Sequence, residues 1–164
     1  MFALSLLRFL HIGSAILLIG GIIARQLVRS IAKRSEDPRI LAAMFQAADP
    51  IERVMVIPGS TATILFGVLL ALVTRAPILG FLQGASRNWL LLSNVLILLT
   101  IPLVPLVFIP RGKVFGSRLE HALEEGRITP ELRSSLADPV VGFFHGFEIL
   151  ALLFVVFLMV FKPL

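Results

Sequence analysis

The chain has 164 residues, of which 57% are hydrophobic and 15% charged, with no cysteine and a formal charge of +5; its mean hydropathy is +0.97. An ordinary soluble domain carries roughly a quarter charged residues, so a water-soluble fold is excluded, as are disulfides and thiolate metal sites. Nucleic-acid binding is not implied by the positive balance, because no basic module interleaved with aromatics accompanies it; Lys and Arg crowding the cytoplasmic loops of a membrane protein leave the same sign.

A helix needs about 20 apolar residues to cross roughly 30 Å of hydrocarbon, and four runs meet that length, near 2–24, 54–73, 89–109 and 140–161. The expectation is an all-α membrane protein, one four-transmembrane-helix bundle over 1–164 with short cytoplasmic surface helices. In the first run the positive charges Arg25, Arg29, Lys33 and Arg34 follow the apolar stretch, whereas a secretory signal carries them before it. A retained helix follows. Within it His11 lies about 14 Å below the outer surface at helical rise, and Arg8, Ser14 and Ala15 share its face, which is expected to point into the bundle.

The segment 25–53 holds a short stretch with Ile40, Leu41, Met44, Phe45 and Ala48 at helical spacing, expected to lie on the membrane surface. Asp49, Pro50 and Glu52 then form an N-cap, a first-turn proline and a first-turn acid. The second span presents Ser60, Thr63, Gly67, Ala71 and Thr74 at offsets of three and four, a stripe whose first meaning is close helix approach. The third opens with Trp89, an interfacial anchor, followed by Ser93 and Asn94 facing inward and by Pro102 and Pro105, which should bend it. Between the third and fourth spans, Arg118 to Glu125 reads as a charged helix stopped at Gly126, and Thr129 with Pro130 starts another up to Leu136. The fourth span carries His145 and Glu148, with Gly142 and Gly146 beside them.

Lys and Arg near span ends fix orientation. The segments 25–53 and 111–139 hold Arg25, Arg29, Lys33, Arg34, Arg39, Arg53, Arg111, Lys113, Arg118, Arg127 and Arg133, against Arg8, Arg75, Arg87 and Lys162 on the other side. Both segments are therefore expected in the cytoplasm of an inner-membrane protein, with both termini outside.

An ionisable residue inside a span is a site hypothesis by default, which singles out Arg8, His11, His145 and Glu148. Glu148 can hold the His145 imidazole in one tautomer; both residues serve equally as packing contacts. His11 is the candidate axial ligand of a haem b, since a neutral imidazole in a four-helix core is a common way to hold haem iron, with Arg8 near a propionate. The two histidines are expected at depths about 10 Å apart, which argues against a shared iron.

The opening Leu7-Arg8-Phe9-Leu10-His11-Ile12, then Gly20, Gly21 and Arg25, and the closing Met159-Val160-Phe161-Lys162-Pro163 resemble, along the whole chain, a bacterial family of predicted integral membrane proteins defined as a domain of unknown function of the 2269 type. More distantly, both ends are similar to the HemJ-type protoporphyrinogen oxidases, whose first helix carries a basic residue, an apolar pair and a histidine, and whose chain also closes in Lys-Pro. That resemblance implies haem held by membrane helices, with the family's histidine at His11. The oxidases also carry, after a Trp-Leu start, an essential lysine four residues past the tryptophan. Here the run is Trp89-Leu90-Leu91-Leu92-Ser93, so oxidase activity does not carry over.

Two functions remain in view. One is a haem-b-binding redox or haem-handling protein. The other is a non-catalytic membrane module or accessory subunit, a homodimer or part of a larger complex, whose polar residues only fasten helices. A small transporter would need broken helices around a midplane cavity, at which only Pro102 and Pro105 hint.

Overall fold

A computed structural model describes residues 2–163. Backbone polar groups cannot be left unpaired in hydrocarbon, so the apolar runs satisfy them internally as helices. In chain order these are α1 (Phe2–Ala32), α2 (Pro38–Ile51), α3 (Ile57–Val73), α4 (Trp89–Thr100), α5 (Ile109–Glu125), α6 (Pro130–Leu136) and α7 (Pro139–Phe161). The all-α fold read from the sequence is the fold observed: four long apolar helical rods, Phe2–Ala32, Pro38–Val73, Trp89–Glu125 and Pro130–Phe161, each long enough to span a bilayer. No strand occurs among the described residues.

The rods overshoot the apolar runs. α1 continues through Arg25 and Arg29 to Ala32, because arginine is a good helix former and polarity alone does not end a helix. The stretch expected to lie on the membrane surface is instead the first part of a continuous rod. Asp37 caps α2 by accepting from the Arg39 amide, with Pro38 in the first turn, and the helix passes through Pro50 into a π-helical turn, Glu52–Val56, before α3. Pro50 cannot donate a ladder hydrogen bond and its ring crowds the preceding turn; the wider turn beside it re-closes the ladder, with the Ile57 amide bonded to the Glu52 carbonyl. The third rod shows the same device. Its ladder opens at Ile101–Pro102 and widens into a π-helical turn over Val104–Phe108, at the two prolines expected to bend the span.

α1 and α3 form an antiparallel hairpin in one register. A Cβ on Gly21 would stand 2.7 Å from Met55 Cβ, one on Gly59 2.8 Å from the Leu18 amide nitrogen, and one on Gly67 2.9 Å from His11 Cε1. Glycine at these three points lets the rods approach to backbone contact. α4 and α7 form the second hairpin, and the two hairpins meet where α1 touches α7 and α2 touches α5. At the arginine-rich end, Ala32, Leu41, Ala122, Leu132 and Leu136 bury one another under Phe45 and Phe115. This small core draws on the ends of α1 and α5, so it extends the bundle. At the opposite end Lys162 lies 5.4 Å from the Trp89 ring, tying the close of α7 to the start of α4. Large apolar side chains such as Phe9, Leu106, Leu150 and Phe161 are about 70% exposed, as a lipid-facing surface requires.

Candidate functional site

His11 is wedged between the first two rods. Its Nδ1 is 3.0 Å from the Thr63 carbonyl oxygen, and a carbonyl only accepts, so Nδ1 carries the proton and Nε2 is left with a lone pair. The Thr63 hydroxyl donates to the Gly59 carbonyl at 2.7 Å, and the Ser14 hydroxyl to the His11 carbonyl at 2.9 Å. The polar face expected on α1 thus meets the small polar stripe expected on α3. Arg8, expected on the same face, is exposed and has no hydrogen-bond or salt-bridge partner among the described residues.

His145 and Glu148 are brought together, with Nδ1 3.6 Å from Glu148 Oε2. The imidazole stacks on Phe108, with ring centroids 4.5 Å apart and an interplanar angle of 12°. Glu148 does not face His145 alone. Arg25 Nη2 is 3.4 Å from Glu148 Oε2, Arg25 Nη1 is 3.1 Å from Glu52 Oε2, and Arg29 Nη2 is 3.6 Å from the same Glu52 oxygen. Arg25 is 6% exposed. This chain of charges fastens α1 to the second rod on one side and to α7 on the other, with two arginines against two carboxylates.

Arg25 and Glu52 do not stand out in the sequence, where they read as charges at the ends of spans. The signal lies in register: once His11 is set against Gly67 and Leu18 against Gly59, continuing the antiparallel count sets Arg25 against Glu52. Arg25 lies 14 residues after His11, so the imidazoles of His11 and His145 belong to levels about 21 Å apart along α1.

Protonated Nδ1 on a backbone carbonyl with Nε2 free is the tautomer of an axial haem ligand. The ring edge, however, lies against Gly67, and the two grooves along α1 and α7 are lined without His11. Neither groove therefore places a haem pocket at His11. No group of three or more His, Asp or Glu able to hold a metal ion occurs among the described residues.

Away from the spans, Asp138 caps α7 by accepting from the Val140 and Val141 amides at 2.9 and 3.4 Å and pairs with Arg111. Burial pushes its carboxyl up, but the Arg111 guanidinium and the two amides outweigh that and hold it below the usual carboxylate range.

No curated protein and no solved structure matches the chain. A family model described as "Predicted integral membrane protein (DUF2269)" matches residues 5–163, which takes in all four rods and the Arg25–Glu148 network. The chain is a member of this family of predicted integral membrane proteins.

Proposed function

We propose that the chain is a non-catalytic module of the bacterial inner membrane, a homodimer or an accessory subunit of a larger membrane complex. The observation that carries this reading is that His11, the ionisable residue nearest mid-membrane, serves as a helix contact, bonded through Nδ1 to the Thr63 carbonyl and packed on Gly67. The termini lie outside and the segments 25–53 and 111–139 in the cytoplasm, a reading supported by eleven Lys and Arg against four.

Docking faces are available. Gly13, Gly142 and Gly146 have open space where a Cβ would stand, so they are small positions not consumed by the chain's own packing. Because the chain has no cysteine, single replacements report cleanly. Ser86→Cys should react with a membrane-impermeant maleimide in intact spheroplasts and Ser134→Cys only after permeabilisation. Gly13→Cys or Gly142→Cys should trap a disulfide-linked pair, or a cross-linked partner, in native membranes. Reversed labelling, or a monomer with no trapped partner at either glycine, contradicts the proposal.

The rival is a haem b centre on His11, supported by the free Nε2. Neither groove along α1 and α7 includes His11, so this rival calls for a pocket completed by another subunit. It requires an absorption band that His11→Ala removes.

A further inference from the structure

π-Helical turns are rare and collect at functional sites, and the chain brings two of them, Glu52–Val56 and Val104–Phe108, to one level of the bundle. Glu52 from the first turn reaches Arg25, and Phe108 from the second stacks on His145. Glu148 stands between, its Oε2 3.4 Å from Arg25 Nη2 and 3.6 Å from His145 Nδ1. That Nδ1 is enclosed and has no hydrogen-bond partner among the described residues. All four rods thus contribute to a cluster in which one carboxylate oxygen is shared by an arginine and an imidazole.

Charge in the cluster is divided unevenly between the hairpins. Arg25 and Arg29 against Glu52 leave the first hairpin at +1, and Glu148 beside a neutral His145 leaves α7 at −1. Asp49 and Arg53, exposed residues of opposite sign, flank Glu52. The third rod meets the imidazole with the uncharged Phe108 ring, and its next charge along the chain, Arg111, is paired with Asp138. Among the described residues two ion pairs join the hairpins, the buried Arg25–Glu148 and the exposed Arg133–Glu36.

Histidine changes charge between pH 5 and 8. A proton taken from water onto His145 cancels the −1 of α7 and gives Glu148 a partner one turn away on its own helix. Arg25 keeps Glu52, its 3.1 Å partner within the first hairpin. Each hairpin is then satisfied without the other, and the charges of Arg25 and His145 repel.

We propose that His145 and Glu148 form a proton-binding site that controls the contact between the two hairpins. With His145 neutral, Arg25 clamps α7 to α1; with His145 protonated, the clamp releases.

The test is double electron–electron resonance on the full chain in phosphatidylcholine nanodiscs. Nitroxides are placed at Ile31→Cys on α1 and Phe143→Cys on α7, two exposed positions outside the cluster, in a chain with no cysteine of its own. The expected result is a longer-distance population that grows about tenfold between pH 8 and pH 5. His145→Phe, which keeps the stack on Phe108 and takes no proton, should hold the short distance at every pH. Glu148→Gln, which removes the −1 of α7, should show the long distance at every pH. His121→Gln, which removes the exposed imidazole of α5, should leave the parent response unchanged. A parent distance independent of pH overturns the proposal, as does a pH response that survives His145→Phe or disappears in His121→Gln. Should His145→Phe fail to fold, Glu148→Gln decides: a short distance at every pH, or a response equal to the parent's, overturns the proposal.

Discussion

Arg25→Met removes the cation that joins three helical rods while keeping an unbranched side chain of similar reach. The consequence falls mainly on Glu148. Glu52 keeps Arg29 at 3.6 Å and its side chain is 36% exposed, whereas the Glu148 side chain is 15% exposed and is left with only the edge of the His145 imidazole at 3.6 Å. Removing one partner of a buried pair costs about 3–5 kcal/mol, and the partial exposure of Glu52 together with Arg29 as substitute places the expected loss near the low end, about 3 kcal/mol. Arg25→Met/Glu148→Met removes both charges and should recover most of this, ending within about 1 kcal/mol of the parent, because a buried ion pair is often replaceable by apolar side chains. Equilibrium unfolding in mixed micelles, followed by loss of helicity, measures each variant. A single variant as stable as the parent, or a double variant that sums the two single losses, refutes the clamp.

The glycines of the first hairpin separate contact from propensity. Gly59→Ala places a Cβ 2.8 Å from the Leu18 backbone nitrogen, which cannot turn aside, and overpacking of this kind costs about 1–3 kcal/mol. Gly13→Ala meets nothing within 4 Å and should be neutral or stabilising by up to about 1 kcal/mol; equal melting temperatures for the two would contradict the observed register. For pH, the Asp138 carboxyl is lowered by folding from its ordinary 3.8. Its contribution is therefore complete above about pH 4 and is lost as pH falls through the lower folded value. Thermal melts should show the parent losing more stability below pH 4 than Asp138→Asn, which keeps the cap and lacks the charge; equal losses would contradict the pairing with Arg111.

The four spans were legible because hydrocarbon thickness sets a length that composition reveals. Helix ends were not. Hydropathy stops at Ala24, whereas hydrogen bonding carries α1 to Ala32, and the Asp49-Pro50 start signal is overridden because the π-helical turn at Glu52–Val56 lets the helix absorb its proline. The pairing of His145 with Glu148 follows from a one-turn spacing, and the polar stripes of the first two rods from helical periodicity. Arg25 was hidden for a geometric reason. Counted from the ends of their spans, Arg25 and Glu148 lie about 34 Å and about 20 Å deep, so depth alone separates a pair that tilt and stagger of the rods bring within 3.4 Å. Only tertiary register, set by glycines that look like generic membrane-helix residues, supplies that information.

Whether the ionisable residues of the spans fasten helices or hold a cofactor is decided most directly by the visible absorption spectrum of the protein purified from haem-replete cells. With His11 bound to Thr63 and packed against Gly67, the preparation should be free of a Soret band. A stoichiometric band that vanishes in His11→Ala while helicity and oligomeric state persist would contradict it.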